Sequence, residues 1–464
     1  MQILIEALPS HREPAGTAAV FCLLVIPGRV DPVPATGGVI NSTSHPCWPP
    51  CPSSAKFDLM HLPRIVWLTL LSCVALQPRL AAADESSAHD LPDLSIATIY
   101  EEHLFNEQGY SGQWAEDSSG YHRSIDSLET HGGRDIVLIE PATGTTNILV
   151  AAQDLIPPGQ SAPLGIASYA FSKDRSKLLL FTNTKPVWRY HDRGDYWVLD
   201  RSSLELRQLG GGAAPSSLMH AKLSPDGRYV GYVRERNLYV EECRTGQLRQ
   251  LTTTPNHHVI NGAFDWVYEE EFMMRDGWRW SPDGRMIVFW EIDSSDVRQF
   301  PLIDHVSGLY PEIRWIPYPK TGEQNSSARA GVVAVDGGEV TWLQIPGDPR
   351  NHYLHSIEWP DHAPGIIVQQ LNRLQNTNRL FIADPATGAA RELLSETDPA
   401  WVDVFTRHRW IGDGERFPWL SERDGWQRLY AVDAESGRTK ELFDAELDVM
   451  DLVQFVPEIG RAHV

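Results

Sequence analysis

Cysteine is nearly absent from most of this chain. Five occur in 464 residues, and Cys22, Cys47, Cys51 and Cys73 all precede residue 84, leaving Cys243 alone in the remainder. Disulfides within residues 84–464 are thereby excluded, and that portion must be held by packing. Basic residues are also short, with 40 Lys and Arg against 61 Asp and Glu for a formal net charge of −21. A surface of that sign repels phosphate backbones, and no basic patch compensates, so no nucleic-acid partner is expected. Long apolar runs are missing too: the run from Ile65 to Leu76 is too short to span a bilayer comfortably.

What is present points to a folded, strand-rich protein. Hydrophobic residues make up 42% of the chain and charged residues 22%, enough apolar content for a large core. The 35 glycines, 33 prolines and 16 tryptophans suggest many short strands joined by turns rather than a helical bundle.

The first 83 residues read as separate from the rest. Met60-His-Leu-Pro-Arg64, the apolar run from Ile65 and the small residues Ala81, Ala82 and Ala83 have the layout of a secretory signal peptide. Residues 60–83 are therefore expected to direct export, with cleavage after Ala83 and a periplasmic destination in a Gram-negative cell. Lipid attachment at Cys73 is a minor alternative, because the apolar stretch continues past it. Residues 1–59 are rich in proline and small residues without regular period, and are expected to be upstream translation before a true start at Met60. These 83 residues hold nearly balanced charge, so the acidity belongs to residues 84–464.

A repeat runs through residues 84–457. Short apolar strands end in polar turns at V-L-I-E-P-A-T-G (Gly144), Y-W-V-L-D-R-S-S (Asp200), L-Y-V-E-E-C-R-T-G (Gly246), R-L-F-I-A-D-P-A-T-G (Gly388) and L-Y-A-V-D-A-E-S-G (Gly437). A period near fifty residues with several strands per unit is the signature of β-propeller blades. The wider gap between Gly246 and Gly388 fits two units, one enlarged by an insertion, with V-V-A-V-D-G-G near Asp336 as the intermediate strand end. Within the units, S-P-D-G recurs at Ser224 to Gly227 and Ser281 to Gly284. Proline second and glycine fourth suit a turn between strands, so Asp226 and Asp283 read as structural rather than catalytic.

One segment carries chemistry. Asp265 to Phe272 reads D-W-V-Y-E-E-E-F. Three glutamates in an acidic protein are ordinarily a solvated helix face. Here Trp266, Tyr268 and Phe272 would anchor the segment by burial and fix the carboxylates on its far side. Neighbouring carboxylates repel each other and favour a cation, and a peptide's free α-amino group is largely protonated at neutral pH.

This motif, followed by W-S-P-D-G, resembles the dipeptidyl peptidase IV family of prolyl oligopeptidase-related serine exopeptidases, in its bacterial branch. Similar matches are Y-P-E-I-R-W-I-P-Y-P-K-T-G-E-Q-N (Tyr310 to Asn325), L-N-R-L-Q-N (Leu371 to Asn376), E-T-D-P-A-W-V-D (Glu396 to Asp403) and S-E-R-D-G-W (Ser421 to Trp426), and coverage runs from about Leu94 to about Val456. The resemblance implies an all-β, eight-bladed propeller stacked on an α/β-hydrolase domain, removing dipeptides from peptides with Pro or Ala in second position. It implies that Glu270 and Glu271 bind the substrate ammonium group, and that Arg189, in V-W-R-Y, orients those glutamates. On residue type alone Arg189 is equally compatible with an ordinary structural ion pair. An amine fixed at the two glutamates places the scissile bond two residues on, roughly 7 Å of extended chain. No metal or cofactor is implied. Family members commonly pair through the hydrolase domain and a propeller extension, which makes a homodimer an expectation for the full-length form.

No serine stands in G-x-S-x-G, the strand-to-helix elbow of hydrolases. About six blades are expected, with the C-terminal hydrolase domain and its triad missing, so the chain is expected to be inactive alone. Glu458 to Val464, E-I-G-R-A-H-V, resembles a translated sequencing adapter and is expected to lie outside the native protein. A non-enzymatic periplasmic propeller serving as a protein-binding scaffold is the alternative, and the glutamate segment is the feature such a scaffold would not need.

Overall fold

The recurring polar turns occupy one place in the architecture: each joins the last two described strands of a blade. In the computed structural model Gly144, Gly246, Gly388 and Gly437 share a positive φ between 70° and 73°, and each donates its backbone N–H to the carbonyl four residues earlier at 2.8–2.9 Å. Two of these glycines also have no room for a side chain. A Cβ at Gly388 would lie 2.1 Å from the carbonyl oxygen of Trp342, and one at Gly437 1.9 Å from that of Leu393. At Gly246, Gly388 and Gly437 the repeat thus marks where a turn meets the last strand of the preceding blade, through Arg207, Trp342 and Leu393.

The structure describes residues 3–6, 20–23, 94–106, 111–115, 117–361, 363–405, 415–442 and 448–456. The expected signal peptide, Cys73, Ala83 and the tail from Glu458 lie outside them. The chain divides into two units, one of Met1–Gly28 with Gln113–Val464 and the other of Arg29–Gly112. The second contributes a short helical turn, Ala97–Glu101, to the described residues.

Six antiparallel blades follow in chain order. Blade 1 comprises Gln113–Trp114, Tyr121–Asp126, Arg134–Ile139 and Thr146–Val150. Blades 2 (Ser168–Phe171 to Glu205–Gln208) and 3 (Leu218–Leu223 to Leu248–Gln250) are linked by a short pairing of Leu218 with Gly194 and Met219 with Arg193. Blade 4 runs from Trp278–Trp280 to Thr341–Trp342, blade 5 from His352–Glu358 to Ala390–Thr397, and blade 6 has three described strands between Arg416 and Glu441.

Sheet faces explain why the strands read as continuous apolar runs rather than alternating ones. In Met286–Asp293, Ile287 and Phe289 pack with blade 3 residues Val233, Leu238 and Val240. Their neighbours Val288 and Trp290 face the other way, toward blade 5 residues Leu354, Ile366 and Val368. Leu178 and Leu180 likewise join blade 1, while Leu179 joins blade 3. Among the described residues five such cores lie between six consecutive blades, so the four inner blades are buried on both faces. Trp278, Trp290 and Trp419 are fully buried in them.

The expected insertion is present and has two parts. A seven-residue helix, Trp266–Phe272, precedes the first strand of blade 4. A hairpin, Gln299–Asp304 with Glu312–Pro317, separates its second and third strands. A further strand follows the sixth blade at Leu452–Val456. It pairs with Val20–Leu23, which pairs in turn with Ile3–Glu6, so two short stretches of the segment set aside as upstream translation join this sheet.

Candidate functional site

The glutamate helix is short, and its ends are fixed by side chains rather than length. Asp265 caps it: one carboxylate oxygen accepts from the Tyr268 amide at 3.2 Å, the other from Ser326 Oγ at 2.6 Å. Burial pushes the Asp265 carboxyl above its usual range, with Ser326 and the helix amides opposing the shift. At the other end Met273 takes a left-handed conformation, φ 57°, and its N–H returns to the Glu269 carbonyl at 2.9 Å.

Of the three aromatic anchors expected, Tyr268 is the fully buried one. Its ring stacks on Phe264 at 5.1 Å and meets Tyr353 edge-on at 6.0 Å, and its hydroxyl oxygen accepts from the Leu354 amide. Trp266 is half-buried against Tyr318 at the base of the hairpin, and Phe272 against Tyr353 and His355. Helical rotation then separates the three glutamates: Glu269 turns inward, Glu270 is half-buried and Glu271 is exposed.

Arg189 reaches Glu270 across 81 residues of sequence. Its Nε and Nη2 donate to the two carboxylate oxygens at 3.0 Å each, a bidentate pair. The Arg189 side chain is 72% exposed, so the pair contributes little to stability, and its geometry is the informative feature. The loop carrying Arg189 is held from several directions. Arg275 donates to Asp192 at 2.6 Å and lies over the Tyr190 ring at 4.1 Å. Arg314 of the hairpin sits 4.9 Å from the Trp188 ring centroid. The Arg189 backbone amide itself bonds Glu269.

Glu269 is the structural member of the run. Only 6% of it is exposed, and its Oε1 has no hydrogen-bond partner among the described residues. Burial raises its pKa and Asp192 adds to the effect, opposed by Arg275 and the Arg189 amide. Glu271 accepts a hydrogen bond from Gln375 Nε2 at 2.5 Å. Gln375 lies in the L-N-R-L-Q-N stretch, yet residue type alone gave no reason to place it beside a glutamate 104 positions away. A cavity of about 320 Å³ adjoins the helix C-terminus, lined by Asp192, Arg275, His220 and Glu358 among others, and neither Glu270 nor Glu271 lines it.

The S-P-D-G aspartates are consumed locally. Asp226 Oδ1 accepts from Ser224 Oγ at 2.6 Å and the Arg228 amide at 3.0 Å, and Asp283 repeats the pattern with Ser281 and Arg285. Ser172, Asp174 and Arg175 form a third such turn that the sequence pattern did not reveal, because Arg175 stands at φ 56° where the others have glycine.

Blades packed face to face, with one short helix whose outer acids are held by distant side chains, define a β-propeller. Residues 172–462 match the family of the dipeptidyl peptidase IV (DPP IV) N-terminal region, and the chain belongs to that family. It is 28% identical over 280 residues to dipeptidyl aminopeptidase B of Saccharomyces cerevisiae, covering 58% of this chain and 33% of that protein. It is 29% identical over 262 residues to the inactive dipeptidyl peptidase 10 of Rattus norvegicus, covering 54% and 32%. The crystal structure of Porphyromonas gingivalis dipeptidyl peptidase 4 superposes with a TM-score of 0.67 at 25% identity, over 77% of this chain and 50% of that one. The chain thus spans about a third of these curated relatives and half of the solved structure. One relative being named inactive, family membership does not by itself carry catalysis.

Proposed function

We propose that this chain is the N-terminus-recognising, substrate-gating propeller of an exported serine-type dipeptidyl peptidase that removes dipeptides from peptides with Pro or Ala in second place. The observation that carries the reading is the asymmetric support of two adjacent carboxylates. Glu270 is paired with Arg189 and Glu271 with a neutral amide, which leaves the couple with one uncompensated negative charge. A peptide ammonium group supplies one positive charge and three donors, and its charge-assisted hydrogen bonds are the strong kind. An internal peptide segment or an acetylated terminus supplies neither.

In this reading the chain measures and the catalytic domain cuts. Fixing the amine at Glu270 and Glu271 limits what reaches the nucleophile to two residues, roughly 7 Å of extended chain. The nucleophile, base and oxyanion donors then belong to a hydrolase domain outside these residues, and the chain alone does not turn over substrate. Export by residues 60–83 places the activity in the periplasm of a Gram-negative cell. The hairpin, with Ile303, Leu309, Tyr310 and Trp315 exposed, is the extension through which full-length copies would pair.

The test is binding by the purified chain of Gly-Pro amide against its N-acetyl form, together with an assay on Gly-Pro p-nitroanilide. The free amine is expected to bind more tightly, with no release of nitroaniline. Equal affinity for the two peptides would remove the amine-site reading, and turnover would remove the claim of inactivity.

A further inference from the structure

Gln375 occupies a position that its own turn does not explain. It lies between strands Ile366–Asn372 and Thr377–Ala383 of blade 5, only 8% exposed, with a left-handed φ of 54°. A long side chain is disfavoured in that conformation, and glycine or asparagine is the residue such a turn ordinarily takes. The turn is held by other groups. Asn372 Oδ1 accepts from the amides of Asn376 at 3.1 Å and Thr377 at 3.0 Å, and Asn372 Nδ2 donates to Asn376 Oδ1 at 2.7 Å. The Gln375 backbone donates to the Asn372 carbonyl at 2.9 Å and accepts from Val402 at 3.0 Å. Every one of these bonds survives removal of the Gln375 side chain.

What the side chain does instead is donate to Glu271, the sole hydrogen bond given to that carboxylate among the described residues. We infer that Gln375 is a positioning residue for Glu271, orienting its carboxylate without neutralising it. The contrast with Glu270 gives the reason. Arg189 both orients and neutralises Glu270, and a second cation at position 375 would cancel the charge left for a ligand ammonium. A neutral donor fixes the carboxylate and preserves the charge. A backbone conformation unfavourable to glutamine is retained at a site where its amide serves the neighbouring helix.

This inference rests on the amine-site reading above, so the experiment separates the two. The 464-residue chain and its variants are titrated with Gly-Pro amide and N-acetyl-Gly-Pro amide, the ratio of affinities is taken, and each variant is melted. Gln375→Gly is expected to lower the free-amine preference about tenfold, the loss of a hydrogen bond to a charged group. Its Tm should be unchanged or higher, because the left-handed backbone suits glycine. Gln375→Lys keeps a donor but adds a positive charge, and is expected to lower the preference further. Both variants keeping the wild-type ratio while Glu271→Gln loses it would overturn the role of Gln375 alone. So would a lower Tm for Gln375→Gly with its ratio unchanged, the mark of a merely structural residue. A wild-type chain with no preference would overturn the amine-site reading and this inference with it.

Discussion

The S-P-D-G turns and the glutamate helix are both short acidic segments in blades of the same kind, and they use their carboxylates in opposite ways. In the turns, Asp226 and Asp283 accept from a serine two residues earlier and an amide two residues later. In the helix, Glu270 and Glu271 are held by side chains 81 and 104 residues away. A carboxylate satisfied by its own turn has little capacity left for a ligand. One oriented from a distance on an outward face has both fixed geometry and open lone pairs. Acid content alone therefore says little about function in a chain with 61 Asp and Glu, and the separation of the partners says more.

The comparison can be broken or sharpened at three levels. The largest expected effect is at the anchor: Tyr268→Ala removes a buried aromatic from the core between blades 4 and 5 and should destabilise by about 3–5 kcal/mol in a denaturant titration. The helix site should be lost with it. Next, Asp283→Ala removes acceptors for the Ser281 hydroxyl and the Arg285 amide. It should cost about 1 kcal/mol and leave the free-amine preference unchanged. A binding loss there would end the division between turn acids and site acids.

The smallest effect is a pH slope. Glu269 has its pKa raised by burial, so between its unfolded and folded pKa values the native state holds more protons than the unfolded one. Its contribution to stability falls as pH rises through that window. Glu269→Gln should therefore melt higher than wild type near neutral pH, with the gain shrinking as pH falls and vanishing only well below about 4.3, the ordinary glutamate pKa, where the wild-type side chain is protonated in both states. Melting curves across that range check the sign, and a gain confined to acid pH would contradict it.

Much of the fold was legible in sequence because the propeller repeats its punctuation. Positive-φ glycines recur in the turn before the last described strand of blades 1, 3, 5 and 6, and apolar runs mark the buried strands, so six blades and an enlarged fourth follow from spacing. The hairpin at Gln299–Pro317 did not, because proline interrupts it and exposed Leu302, Ile303 and Trp315 leave no alternation to read. Glu270, Glu271 and Arg189 were reached through a family resemblance. The structure adds that Arg189 and Glu270 meet and that Glu269 faces inward, which rotation along one helical turn decides. Gln375 lay inside a quoted motif and still escaped, since its partner is set by how blade 5 packs beside the helix of blade 4.

The central claim is that Glu270 and Glu271 form a site for a peptide's free amino terminus. Calorimetric titration of the purified chain with Gly-Pro amide and N-acetyl-Gly-Pro amide, in wild type and in Glu270→Gln with Glu271→Gln, tests it most directly. A free-amine preference that falls at least about tenfold in the double variant, with Tm held, is the predicted result. The same preference in both proteins, or none in the wild type, would contradict the account.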